Sequence, residues 1–170
     1  MTIGIPVYQS VDVIQRSLES ALNQTYSSLE VLIIDDGGAD GSIAVAERLK
    51  AEHQRGNDIR IVRHERNMGV AAARNRIIDE ALGDYLNFMD SDDVIAGNTI
   101  TLMMQKIRQY NAEIVFGSYE KIEISGEKNI YQYPEIQLLG EDELAIFAYR
   151  KYAGIQASAC NYLVKTSVLR

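Results

Sequence analysis

Cysteine occurs once in these 170 residues, at Cys160. A single thiol cannot close an intramolecular disulfide and cannot supply a cysteine-based zinc site. No apolar run approaches the ~18 residues of a membrane span. The start, Met1-Thr2-Ile3-Gly4-Ile5, lacks the basic n-region and long apolar stretch of a secretory signal. A reducing cytoplasm is therefore the expected compartment. Basic excess is also missing: 17 Lys and Arg stand against 24 Asp and Glu, for a net charge of −7. That balance argues against generic nucleic-acid binding, which needs a basic face. It does not argue against an anionic nucleotide, because a bound metal inverts the local field. Linkers, internal repeats and low-complexity tracts are absent as well. A 46% hydrophobic content over 170 residues then suits one domain with a sizeable core.

What is present alternates between two periods. Ile3 to Tyr8 reads as a first strand, which should end or reach an edge at Pro6, since proline donates no ladder hydrogen bond. A helix follows from Val13 to about Gln24, with Ser10 or Asp12 as its cap and Ile14, Leu18, Ala21 and Leu22 on one face. Val31 to Ile34 is a β-branched run, hence a buried strand, and Ser42 to His53 a helix. Ile59 to Val62 is a third strand, and Val70 to Ala81 an alanine-rich helix that Gly83 should end. Tyr85 to Met89, then Thr99 to Tyr110, then Ile114 to Gly117 repeat the alternation. The pattern predicts an α/β fold with a mostly parallel central sheet flanked by helices. Beyond Gly117 it fades into a hairpin over Glu123 to Tyr133, a helix from Asp142 to Arg150, a strand from Asn161 to Lys165 and a helix start at Thr166.

Chemistry concentrates at strand ends. Asp90-Ser91-Asp92-Asp93 follows the apolar run Tyr85 to Met89. Three carboxylates in four residues repel one another unless a cation sits among them. Mg²⁺ or Mn²⁺ prefers such oxygens and binds where phosphates complete the shell. A polar turn with Asp93 as a helix cap is the plainer reading, but three acids exceed what a turn needs. Asp35-Asp36-Gly37-Gly38 follows the second strand; Asp36 could meet a base or ribose, while Asp40 caps the next helix. Tyr8, at the end of the first strand, can stack on a nucleobase or close the core. Arg74 sits in the first turns of a helix whose N-terminus favours an anion, or is simply exposed. His53 and His64 read as surface groups without a role. No Lys follows the glycines as a Walker loop would need.

Taken together these residues resemble the family 2 glycosyltransferases of the GT-A, Rossmann-like fold. The matching pieces stand in the family's order: Ile5-Pro6-Val7-Tyr8, Ser20 to Tyr26, Glu30 to Gly37, Asn67-Met68-Gly69 with Ala73-Arg74-Asn75, and Ala81 to Tyr85 leading into Asp90-Ser91-Asp92-Asp93. The resemblance implies a nucleotide-sugar donor, usually a UDP-sugar, and a glycan or lipid-linked acceptor. It places Pro6, Val7 and Tyr8 near the base, Asp36 on the uracil edge, and Asn67, Gly69, Arg74, Asp90 and Ser91 along the donor. Asp90 and Asp92 of the D-x-D motif would hold Mn²⁺ or Mg²⁺. Residues 1–117 would form the donor-binding core and residues 118–170 the start of the acceptor side, with a small hairpin and helix. The family usually has Ser or Asn where Gly38 stands, so one side-chain contact is missing here.

The resemblance also implies a carboxylate base further past the D-x-D than Arg170, so a truncated chain is expected. Ser158 to Leu163 resembles the segment that precedes that base. Glu141-Asp142 is a weak substitute, since acids at a helix start favour its dipole. The expected activity is inverting, metal-dependent sugar transfer in polysaccharide or cell-envelope biosynthesis, in the cytoplasm or at the inner face of the membrane. Two rivals stand beside it: a non-catalytic nucleotide-binding or assembly module, and a response-regulator receiver. The receiver would need its acid pair after the first strand, where Pro6-Val7-Tyr8 stands.

Overall fold

In the computed structural model, which describes residues 1–123, 125–133, 143 and 160–170, the apolar runs become six strands of one sheet. These are β1 (Thr2–Val7), β2 (Glu30–Asp35), β3 (Ile59–Arg63), β4 (Tyr85–Phe88), β5 (Ile114–Phe116) and β8 (Tyr162–Lys165), in the order β3-β2-β1-β4-β8-β5. The first four in that order run parallel. β8 is antiparallel to both β4 and β5. The sheet is thus mostly parallel and helix-flanked, as the sequence predicts, but a late strand is inserted between the fourth and the fifth. A separate hairpin pairs β6 (Tyr119–Ile122) with β7 (Lys128–Tyr131), so it starts earlier than Glu123. The expected helix at Asp142 to Arg150 lies outside the described residues.

Alternation along the strands divides the core. Ile3, Ile5, Val7, Val31 and Ile33 pack on one face with α1 (Ile14–Leu22), α2 (Ser42–Glu52) and α4 (Thr99–Tyr110). Leu32, Ile34, Leu86 and Phe88 pack on the other with Ala73 and Ile77 of α3 (Val70–Glu80). Gly4 makes that second packing close: a Cβ there would lie 2.2 Å from Ile77 Cγ2. A final turn of helix, α5 (Thr166–Leu169), follows β8. Among the described residues, no helix is long and apolar enough to cross a membrane.

Three local expectations change. No side chain caps α1; the Ser10 carbonyl instead accepts from the Val13 and Ile14 N–H groups. That helix ends at Leu22, and buried Gln24 bridges onward: its Nε2 donates to Ala96 O and its Oε1 accepts from Ile100 N. Gly83 is not the terminator of α3, whose cap is Ala81. It is small because the Met1 backbone lies 2.5 Å from where its Cβ would be.

Pro6 neither ends β1 nor lies at a sheet edge. β1 is central and stays paired with β2 as far as Val7↔Asp35. In a parallel strand, successive residues turn their backbone groups to opposite neighbours. Gly4 O accepts from Met89 N on the β4 side, so Pro6 faces that side too, past the last β1–β4 bond. Its missing N–H falls where the ladder has already stopped. The sheet therefore opens between β1 and β4 without orphaning a donor. Strand order reverses at this point, and open α/β sheets place their ligand crevices there.

Candidate functional site

A cleft of about 530 Å³ lies at that opening, lined by Pro6, Val7, Tyr8, Asp36, Asn67, Gly69, Val70, Ala73, Arg74, Asp90, Ser91 and Asp92. Every donor or metal residue expected from the sequence lies on its wall. Tyr8 stands at the mouth, 45% exposed, so it does not close the core. The chain turns sharply just after it, with Gln9 in the left-handed region at φ 50°.

Asp36 is buried beside β2 and heavily bonded. Its Oδ1 accepts from the Met68 N–H at 2.8 Å and from His64 Nδ1 at 2.7 Å; its Oδ2 accepts from the Gly69 N–H at 2.8 Å. Burial pushes the carboxyl up, but the bonds from His64, Met68 and Gly69 outweigh it and hold the group below the usual range. Gly37 completes this junction. Its φ is +78°, and a Cβ would meet Asn67 N at 2.7 Å, so the two loops touch through bare backbone. His64 is therefore not a surface group: its side chain is 14% exposed and bonded to the site. Asp40 is not the cap of α2, which is Gly41 in the left-handed region; one residue before it, Asp40 accepts from Ser42 N and Val11 N and ties the loop to the chain after Tyr8.

The acidic turn is fixed from α1. Asp93 N donates to Asp90 O, closing the turn. Arg16 Nη2 donates to Asp92 O, and the Ser10 and Ser91 hydroxyls lie 2.7 Å apart. Arg74, on the first turns of α3, reaches across to Asp90 with Nη2 2.7 Å from Oδ1. Its Nε is buried without a partner, so the guanidinium keeps donor capacity. Asp93 is pushed up by burial and by the charges of Asp90 and Asp92.

Asp90, Asp93 and Cys160 bring ligand atoms within 4.8 Å of one another, while Asp92 faces the cleft outside that cluster. Cys160 is pushed up to about 12 by burial and by Asp90 and Asp93, and one thiol is too few for a cysteine-based zinc site. The other donors at this turn, Asp90, Asp92 and Asp93, are hard carboxylate oxygens. This set fits Mg²⁺ or Mn²⁺ shared with phosphate and does not fit a thiolate zinc site. Glu141 and Asp142 lie outside the described residues.

The sequence profile described as Glycosyl transferase family 2 matches residues 2–165. The chain belongs to this family. It is 30% identical over 146 residues to glycosyltransferase GlyG of Streptococcus pneumoniae, covering 86% of this chain and 47% of that one. This glycosyl transferase family 2 chain thus spans about half the length of that curated relative. Among solved structures, S. aureus TarS 1-349 in complex with UDP-GlcNAc superposes with a TM-score of 0.74 at 20% identity, covering 99% of this chain and 46% of that one. The mannosyltransferase PcManGT from Pyrobaculum calidifontis, in complex with GDP-Man and Mn²⁺, has a TM-score of 0.62 at 24% identity, covering 68% and 34%. Both likenesses concern the fold, which is the GT-A architecture expected above.

Proposed function

We propose that this chain builds the donor-binding part of a glycosyltransferase. The enzyme would move a sugar from a UDP-sugar to a hydroxyl of a saccharide or lipid-linked acceptor, with inversion and with Mn²⁺ or Mg²⁺. The observation that carries this reading is the convergence of four separated segments on one cleft at the strand-order reversal. TarS bound to UDP-GlcNAc and PcManGT bound to GDP-Man and Mn²⁺ support it by fold.

In this reading Tyr8 stacks on the base beside Pro6 and Val7, and Asp36 accepts from the base edge. Asn67, Gly69 and Arg74 line the donor, with Asp90 and Ser91 toward the ribose. Asp90 and Asp92 would hold the divalent ion. When bound, that ion supplies Lewis-acid stabilisation of charge on the departing nucleoside diphosphate. A carboxylate base takes the acceptor hydroxyl's proton while its oxygen attacks the anomeric carbon and the bond to the diphosphate breaks. We assign that base to the part of the family's length beyond this chain. Residues 1–117 form the donor side and residues 118–170 begin the acceptor side.

Calorimetry with UDP, with and without Mn²⁺, tests the donor site. UDP should bind in a Mn²⁺-dependent way, and Asp92→Asn should abolish that dependence without unfolding the chain. A variant whose UDP affinity keeps its full Mn²⁺ dependence removes Asp92 from the site.

A further inference from the structure

We propose that His64 is the positioning residue for base recognition: its imidazole holds Asp36 so that one carboxylate lone pair remains, in a fixed direction, for a nucleobase whose ring N3 carries a hydrogen. The proposal rests on the donor reading above and adds a residue and a selectivity to it.

His64 directly follows β3, and its N–H donates to Asp35 O at 2.9 Å, continuing the β2–β3 ladder by one step. This fixes its backbone against the end of β2, where Asp36 begins the loop. Nδ1 then stands 2.7 Å from Asp36 Oδ1. An ionised carboxylate only accepts, so Nδ1 carries the hydrogen and donates.

The lone pairs can be counted. A carboxylate offers about four acceptor positions. His64 and Met68 N take two on Oδ1, and Gly69 N takes one on Oδ2. One position on Oδ2 remains, on a residue that lines the cleft. A group that can only accept selects a partner that donates. Uracil presents N3–H where cytosine presents a bare N3 lone pair, which a carboxylate repels; cytosine's own donor, the N4 amino group, lies one ring position away, so a carboxylate held in line with N3 is not aligned with it. A buried polar site left unpaired by the wrong ligand rejects it strongly.

His64 itself is absent from the cleft wall, so it acts through Asp36. Met68 and Gly69 are backbone donors on a loop, and loop backbone moves with the loop. The imidazole is the one side-chain donor to Asp36 among the described residues. Without it Oδ1 loses a partner, the carboxylate gains a rotational choice, and the lone pair on Oδ2 is no longer fixed.

The test compares UDP, CDP and inorganic pyrophosphate by calorimetry in excess Mn²⁺, on the whole chain. Wild type should prefer UDP to CDP. His64→Leu should weaken UDP by roughly 10-fold or more, the loss expected of one hydrogen bond to a charged group. Pyrophosphate affinity should stay unchanged, and the preference for UDP over CDP should collapse. His64→Asn, whose amide nitrogen can take the place of Nδ1, should restore both UDP affinity and preference. Equal losses of UDP and pyrophosphate in His64→Leu would mean mere loop support and overturn the proposal. So would unchanged UDP binding, or failure of His64→Asn to restore it. If His64→Leu does not fold, Asp36→Asn and His64→Asn decide: the first must lower the UDP preference and the second must keep it. Wild type that binds pyrophosphate but does not distinguish UDP from CDP overturns this inference alone. Wild type that binds none of the three overturns the donor reading with it.

Discussion

Gly4→Ala is a one-carbon change whose sign the structure decides. Gly4 lies in the middle of β1, paired with Leu32 and Phe88 on either side. Its φ is not in the left-handed region, so alanine is allowed by the backbone. If space allowed it too, the substitution would stabilise by about 0.4–1 kcal/mol through the unfolded chain. Space does not allow it. The new Cβ would lie 2.2 Å from Ile77 Cγ2 and 3.2 Å from its Cδ1, where ordinary contact begins at 3.4 Å. About 1.2 Å must be gained at the closest pair. Ile77 is fully buried and β-branched, with one strongly preferred χ1 in a helix, so its Cγ2 cannot swing aside. Either α3 lifts or β1 yields, at a cost of about 1–3 kcal/mol. Ile77→Ala alone should cost about 2–5 kcal/mol through its cavity. Together the two should cost less than their sum, with a coupling of about 0.5–3 kcal/mol, because the added methyl fills part of the space vacated. Urea unfolding of the four chains measures this. α3 also carries Arg74, so Gly4→Ala should weaken UDP as the 2.7 Å contact to Asp90 is stretched. A Gly4→Ala chain at least as stable as wild type, or strictly additive losses, would refute the packing of α3 on β1.

Asp93 has a raised pKa in the fold, so folding favours its protonated form, and that contribution is lost as pH rises from the ordinary carboxylate value through the raised one. Asp93→Asn should therefore stabilise the metal-free chain at pH 7 and lose this advantage near pH 4; a pH-independent difference in urea midpoint contradicts it. A chain extended to the family's length should transfer sugar at least about 100-fold faster than these 170 residues, since general-base catalysis contributes about 10²–10⁴-fold. Equal rates, with Asp142→Asn removing the activity of the short chain, would place the base within it. Without divalent ions, uridine should bind at least as well as UDP, and Mn²⁺ should reverse the order; UDP binding tighter than uridine in a chelator would refute the charge argument below.

Most of the sheet is legible in the sequence because β-branched runs and helical periods leave little choice. Val31 to Ile34 cannot be much else than a buried strand, and Thr99 to Tyr110 is a helix with the bounds expected. The position of β8 is not legible. Tyr162–Lys165 is a short run, and its place between β4 and β5 depends on contacts such as the Asn87 side chain donating to Tyr162 O. That buried asparagine looks unremarkable inside an apolar strand. Tyr8, Asp36 and Asp90 to Asp92 are readable because they carry chemistry just past strand ends, and Arg74 because it stands near a helix start; Asn67 and Gly69 follow only from the family resemblance. His64 is not readable, since an isolated histidine has no periodicity and no motif, and its partner lies 28 residues away. The signal that was available is its place immediately after a β-branched strand, next to the strand whose end holds Asp36.

The charge distribution sets the terms on which an acidic protein would hold the proposed anionic ligand. The negative groups at the cleft are not equivalent. Asp36 is compensated by two backbone N–H groups and an imidazole, and Asp90 by Arg74. Asp92 and Asp93 share their turn with Asp90, and Asp93 is raised by burial and then by that company. A diphosphate arriving beside them adds further negative charge. Each pair of unit charges near 4 Å costs about 4 kcal/mol at the effective dielectric of a protein surface. Arg74 offers one positive charge and already spends part of it on Asp90. Phosphate binding by that cation alone would therefore be opposed by the turn itself. A divalent ion changes the sign of the balance, because it is attracted by the same carboxylates that repel the phosphate. The acids that oppose a bare diphosphate would then be the groups that let the cleft take a metal–diphosphate. In the proposed mode the uridine end would meet Tyr8 and Asp36 and would not share that requirement. Base recognition and phosphate recognition would then be separable in this cleft, the first set by hydrogen-bond geometry at the end of β2 and the second by charge at the end of β4.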